Sequence, residues 1–296
     1  MSRLRSWDDV RAGWDRAVDA VVQQPPDSVT VRSAPLMSRL RAPDAAVMLA
    51  GAGGSGKSCM VKALTRHDPS GADPPRRSEE AELHRLDVTT PRGTRRIHLH
   101  VPPGQASYER DVELDRLLSD GFYPSGVVYT VAFGYDRFWE KEAIEFAAQT
   151  REAGGRIDLA ALRRRKLGDE NRTFARVCRL LGNAWHRSDG PVWLILAVTK
   201  TDLYWDRIGE ARDHYIPGGA ESSDADIAKL SHQFTDILEA LTSQVGKQKL
   251  RVDVVPFSCM LENYAFGTEL TARPKMDQAD SRSLSRHFLS VLGERL

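Results

Sequence analysis

The chain has 296 residues, 41% of them hydrophobic and 28% charged, ample material for a folded core. A formal net charge of +1 removes bulk electrostatics as an argument for a nucleic-acid or membrane partner, and no nucleic acid is expected. There is no run of about 18 apolar residues, so no transmembrane segment is expected. The start, MSRLRSWDDV, carries charge where a secretory leader needs a continuous apolar stretch. Cys59, Cys178 and Cys259 are widely separated and form no CxxC pair. A disulfide framework or zinc cluster is therefore not expected, and a reducing cytoplasmic setting fits.

In chain order, residues 6–23 read as an amphipathic helix. Ser6 is its cap, Asp8 and Asp9 suit its first turn, and Trp7, Val10, Trp14, Val18 and Val21 share one side. Residues 24–44 contain Pro25, Pro26, Pro35 and Pro43 and read as an irregular linker. AAVMLA at 45–50 is a short buried strand, followed by a Gly-rich turn and a helix over 57–66. Residues 81–89 and 95–101 read as two strands around a turn at Pro91–Gly93, and 106–119 as a helix. GVVYTVAF (126–133), VWLILAV (192–198) and RVDVVPF (251–257) are near-continuous apolar runs, as expected of strands covered on both faces. Helical stretches at 139–152, 171–187, 224–244 and 280–294 alternate with them. Such alternation predicts an α/β fold with a mostly parallel sheet. Residues 135–170 exceed the minimal alternation and read as an insertion. Its basic run Arg163–Lys166 reads as a solvated helix face.

Gly51-Ala-Gly53-Gly54-Ser55-Gly56-Lys57-Ser58 matches GxxxxGK[ST] in full, between an apolar strand and a helix. Glycines let backbone N–H groups curl around phosphate oxygens, and the helix N-terminus adds its positive dipole end. Lys57 suits the terminal phosphates and the Ser58 hydroxyl suits Mg²⁺. Thr199-Lys200-Thr201-Asp202 directly follows the run 192–198. A carboxylate there can accept two hydrogen bonds from the ring N–H and exocyclic amine of guanine, a pair adenine does not offer.

With these two motifs in order the chain resembles the Ras-like (TRAFAC-class) P-loop small GTPases over about residues 45–296. Stand-alone bacterial G proteins with extra insertions are similar as well. The resemblance implies a three-layer P-loop NTPase fold. Its mostly parallel six-stranded sheet would carry an antiparallel edge hairpin and helices on both faces, with GTP or GDP at the carboxyl ends of the strands. It implies nucleotide contacts from Gly51, Gly53, Gly54, Ser55, Gly56, Lys57, Ser58, Cys59, Gly104, Thr199, Lys200, Asp202, Ser258 and Cys259. Ser258-Cys259-Met260 occupies the place of the family's last base-contacting loop. Val101-Pro102-Pro103-Gly104-Gln105 occupies that of the second switch, with Gln105 (beside Lys57) in the catalytic role. Mg²⁺ would sit on Ser58 and on Ser78 of the first switch, with Arg76 and Arg77 upstream of Ser78.

One position departs from the family pattern. Val101 stands where the family has an Asp that holds a water on Mg²⁺. Either Ser58, phosphates and water suffice for the metal, or a residue elsewhere substitutes. The expected activity is slow GTP hydrolysis in a molecular switch with a protein effector, docked through the N-terminal helix or the 135–170 insertion. The alternatives are a GTP- or GDP-holding module without useful hydrolysis, and an ATPase or small-molecule kinase sharing only the phosphate loop. His98 and His100 share a strand face, but no third metal ligand is evident, so they read as partly buried strand residues.

Overall fold

A computed structural model describes residues 6–23, 29–34, 43–65, 81–103, 114, 118, 123–138, 140–152, 154, 157–266 and 270–296. Its helices are α1 (Trp7–Gln23), α2 (Lys57–Thr65), α3 (Glu140–Glu152), α4 (Leu159–Arg187), α5 (Ile208–Tyr215), α6 (Ala225–Val245) and α7 (Gln278–Arg295). Its strands are β1 (Thr30–Ser33), β2 (Ala45–Gly51), β3 (Glu82–Thr90), β4 (Gly93–Val101), β5 (Gly126–Val131), β6 (Val192–Val198) and β7 (Leu250–Pro256), with a small hairpin β8 (Tyr264–Phe266) and β9 (Leu270–Ala272). Of the helix expected over 106–119, only Leu114 and Leu118 are described; both are helical and buried.

The main sheet runs β1-β3-β4-β2-β5-β6-β7. The strands from β4 to β7 are mutually parallel, while β3 is antiparallel to both β4 and β1. The expected α/β three-layer architecture is present, with seven strands rather than six. The added strand, β1, lies in the segment read as linker. Four residues without clear alternation carry too little pattern to be read as a strand. They become one because Thr30–Ser33 complete the open edge of β3, pairing with Leu86–Thr89.

Period-two alternation along β2 sends Met48 and Ala50 to one face and Val47 and Leu49 to the other. The first face is covered by α4, α5 and α6 through Phe174, Val177, Leu181, Tyr215, Phe234 and Leu238. The second is covered by α2 and α7 through Met60, Leu64, Phe288 and Leu292. Burial on both faces explains the unbroken apolar runs of β5 and β6, whose residues are all buried.

The tryptophans of α1 dock on the protein's own core: Trp14 is fully buried and Trp7 packs beside it. Arg11 fixes the helix by pairing with Asp213 at 2.8 Å and donating to the Pro217 carbonyl at 3.1 Å.

The largest correction concerns the basic run. A single helix, α4, begins at Leu159 rather than 171, capped by Asp158, whose side chain accepts from the Ala161 N–H at 2.8 Å. Arg163 and Lys166 are buried on it. The Arg163 guanidinium lies 4.5 Å from the Phe133 ring centre. Lys166 lies 4.1 Å from that of Phe138 and pairs with Glu142. Aromatic faces and a carboxylate replace the water that a solvated face would have supplied. Arg165 keeps the exposed role, Arg164 is half-buried, and both pair with acidic neighbours.

Candidate functional site

Parallel strands deliver their C-terminal loops to one edge. Register aligns Gly51 with Thr130, Val131 with Val198, and Val198 with Pro256. The loops after β2, β5, β6 and β7 therefore converge there, the usual ligand edge of an open α/β sheet.

The loop Gly51–Gly56 is wrapped tightly around its own backbone. Ser55 is buried and donates to the Ala52 carbonyl at 2.8 Å, and its hydroxyl lies 2.6 Å from that of Thr130. Lys57, in the first turn of α2, donates to the carbonyls of Gly51 and Ala52, both at 2.9 Å. Three positions of the loop, Gly51, Gly54 and Gly56 (φ +97°), have backbone conformations that favour glycine. Gly51 has φ +148°, and a Cβ there would stand 2.2 Å from Thr130 Oγ1. Gly54 has φ +81°, and a Cβ would stand 2.6 Å from the Arg137 backbone nitrogen. Gly53 lies in the same turn; Ser58 and Cys59 are half-buried on α2.

Thr199–Asp202 joins this loop to the end of β6. Thr199 donates to the Ser55 carbonyl at 2.6 Å and to that of Val131 at 3.0 Å. Lys200 takes a left-handed turn at φ 57° and sends its ammonium to the Tyr135 carbonyl at 2.7 Å. Asp202 is buried and accepts from the Ser258 hydroxyl at 2.8 Å. Ser258 is itself fixed where its carbonyl accepts from Ser285 at 2.8 Å. Burial pushes the Asp202 carboxyl up to about 6, against the opposing effect of the Ser258 hydrogen bond and the charge of Lys200.

Asp202 opens into a cavity of ≈ 440 Å³ that also touches Gly56, Thr199, Lys200 and Cys259. The cavity thus runs from the phosphate-loop motif to the loop after β7, and residues drawn from distant parts of the chain share it. Ser78, Gly104 and Gln105, with Arg76 and Arg77, lie outside the described residues. Val101 is described: it ends β4, is 4% exposed, and belongs to the apolar layer beneath α2 and α7. His98 and His100 are partly buried with ring centres 6.5 Å apart. No metal-ligating cluster of three or more occurs among the described residues.

Sequence reasoning missed the loop after β5. The Arg137 N–H reaches the Gly54 carbonyl at 3.4 Å, while the Tyr135 carbonyl receives Lys200. Glu170 of α4 holds this loop from below, accepting from the Ala132 N–H at 2.7 Å and from the Tyr215 hydroxyl at 2.6 Å. Tyr215 in turn accepts from the Phe133 N–H at 2.9 Å. Burial raises the carboxyls of both Glu170 and its neighbour Asp136, and for Glu170 the adjacent Asp136 adds to the effect. Locally nothing marks it: Glu170 stands among charged and polar residues, between Asp169 and Asn171, and its partners come from other segments.

The fold and this convergence of loops define a three-layer α/β protein with a mostly parallel sheet and its candidate site at the C-terminal edge of the strands. No protein-family model matches the chain, and no curated protein matches it. Among solved structures it is similar to the signal recognition particle receptor SRb-GTP/SRX complex from Chaetomium thermophilum. Identity is 12% and the TM-score 0.41, over 72% of this chain and 93% of that one. A likeness this distant assigns no activity. No helix among the described residues is long and apolar enough to cross a membrane.

Proposed function

We propose that the protein binds a guanine nucleotide across this edge, with phosphates on Gly51–Ser58 and the base in the cavity that Asp202 faces. One observation carries the reading: a buried carboxylate, held by Ser258 at 2.8 Å, opens into a cavity shared with the phosphate-loop glycine Gly56. Such a carboxylate leaves acceptor capacity for the paired donors of guanine, and a base without them leaves it buried and unsatisfied. Lys57 serves the terminal phosphates, and backbone N–H groups of the loop and of Ser58 and Cys59 serve the others. Cys259 borders the base.

The donor set suits Mg²⁺ in part. Ser58 offers a hydroxyl beside the phosphates, whereas Val101 offers no oxygen. Mg²⁺ held by Ser58 and the nucleotide would neutralise phosphate charge. On this reading the protein is a cytoplasmic switch that hydrolyses GTP slowly, with Gln105 orienting water, and Gly104 and Ser78 contacting the γ-phosphate and the metal. Residues 45–296 form the nucleotide domain, and residues 1–44 and about 135–170 are additions to it. The insertion is the proposed effector surface, because α1 spends its apolar face on the protein's own core while Ile144 of α3 is 64% exposed. Val101 favours a second reading, a module that holds GTP or GDP without turnover.

A single-turnover assay separates the two. Purified protein in excess over GTP, with Mg²⁺, is followed by chromatography for GDP. Conversion that disappears in Lys57→Ala supports the GTPase. Bound but intact GTP supports the holding module, and absence of guanine-nucleotide binding overturns both.

A further inference from the structure

A second cavity, of ≈ 410 Å³, lies between β1, α2 and α7. That volume falls within the range of small-molecule sites, roughly 300–1,000 Å³. Its apolar side comes from Val29 and Val31 at β1, Leu64 of α2 and Leu289 of α7, which pack in or against the layer beneath α2 and α7. Its polar side comes largely from α7, where Ser281, Arg282, Ser285 and Arg286 recur at helical spacing. Every charged side chain described along this cavity is an arginine: Arg32, Arg282 and Arg286. Arg32 and Arg282 are exposed and have no acidic partner among the described residues. Acids close by are committed elsewhere. Asp87, opposite Arg32 in register, pairs with Arg96 at 2.8 Å, and Asp277, the cap of α7, accepts from the Asp280 N–H at 2.9 Å. Asp280 stands two positions before Arg282 on the helix, a spacing at which side chains do not face each other. Ser281 lines the cavity at 2% exposure, and its hydroxyl has no hydrogen-bond partner among the described residues. Buried hydroxyls normally have one, so this group is placed to serve a ligand.

We propose that this cavity binds a small amphipathic anion, an aliphatic carboxylate, with its chain over Val29, Val31, Leu64 and Leu289 and its head between the Ser281 hydroxyl and the arginines. The site does not depend on the nucleotide reading. A guanidinium presents parallel N–H donors that match the two oxygens of a carboxylate. The Ser281 hydroxyl adds a donor at the same end of α7. A cation is repelled by the arginines, and a wholly apolar ligand leaves that hydroxyl buried and unpaired. A small inorganic anion leaves the apolar wall in water. The two cavities share Cys259 as a wall but differ in charge. The nucleotide cavity mixes Asp202 and Glu262 with Arg137 and Lys200, whereas the charged groups described here are cations alone.

The test titrates the full chain with octanoate by calorimetry, with acetate, 1-octanol and octylammonium as comparisons. Octanoate should bind, and each comparison should bind about tenfold more weakly or worse, having lost the chain, the charge or its sign. Saturating GDP should leave octanoate binding in place. Arg32→Ala combined with Arg282→Ala should weaken octanoate about tenfold or more. The thermal melt of that variant should stay in place, because both side chains are exposed. Ala63→Phe, which fills the cavity from α2, should weaken octanoate and 1-octanol alike. No octanoate binding, octylammonium binding as tight as that of octanoate, or binding that the arginine substitutions leave unchanged would overturn the proposal. Displacement of octanoate by GDP would put the anion in the nucleotide cavity and overturn it as well. If the protein binds no guanine nucleotide, the function proposed above fails, and the arginine variants still decide this site.

Discussion

The two ends of the site differ in how completely the described residues build them. At the base end, Asp202 is buried, its Ser258 partner is in turn fixed by Ser285, and Thr199 ties the motif to the phosphate loop. At the proposed metal end, β4 terminates in Val101 inside an apolar layer, and Ser58 offers a hydroxyl from α2. A buried carboxylate needs hydrogen-bond partners to offset the water it loses, so the base end carries a network. A buried valine needs only packing. The difference separates choosing a nucleotide from acting on it, and the proposed protein invests in the first.

The strongest way to break this contrast is Asp202→Asn. Replacing two acceptors with a mixed amide should cost GTP about a hundredfold or more in affinity and raise affinity for xanthosine triphosphate. Titrations of both nucleotides decide it, and unchanged GTP affinity would remove the base-reading role. Val101→Asp probes the opposite end. A carboxylate placed in that apolar layer should lower stability by about 2 kcal/mol in urea melts without metal. Mg²⁺ with GTP should recover part of this and speed hydrolysis if the departure at Val101 is what limits the metal site. No recovery would point to another metal arrangement.

Acid provides a third, graded test. Because Asp202 is raised to about 6, the free protein takes up a proton there as pH falls through that value. GDP affinity should then drop by about tenfold per pH unit below 6, a slope absent in Asp202→Asn. For stability the sign is opposite. The native site binds this proton more tightly than the unfolded chain, so the Asp202 contribution is present below the unfolded carboxyl range. It is lost as pH rises through about 6. The smallest expected effect is that of Ser258→Ala. Losing one hydrogen bond to the carboxylate should cost about 1 kcal/mol of binding and move the acid limb to higher pH. A limb that stays in place would mean that Ser258 does not tune Asp202.

The phosphate-loop motif was legible because its glycines, lysine and serine are contiguous and its flanking strand and helix have opposite periodicities. The strand ending at Val198 was legible because burial on both faces leaves an uninterrupted apolar run. The same logic failed for Arg163 and Lys166. Charge in a sequence reads as solvated, yet here the aromatic rings of Phe133 and Phe138, from another loop, receive it.

By itself the sequence determined the local pieces: the order of strands and helices, the GxxxxGKS loop, and TKTD at a strand end. Each depends on residues within about one element's length. Tertiary structure alone decided what those pieces meet. It recruited β1 from the proline-containing segment, because an open edge at β3 offered unpaired backbone groups. It set Glu170 under the loop after β5 and Ser258 beside Asp202. Such contacts join residues that no period or spacing connects. They exist because parallel strands bring the loops that follow their C-termini to one edge, whatever the length of chain between them.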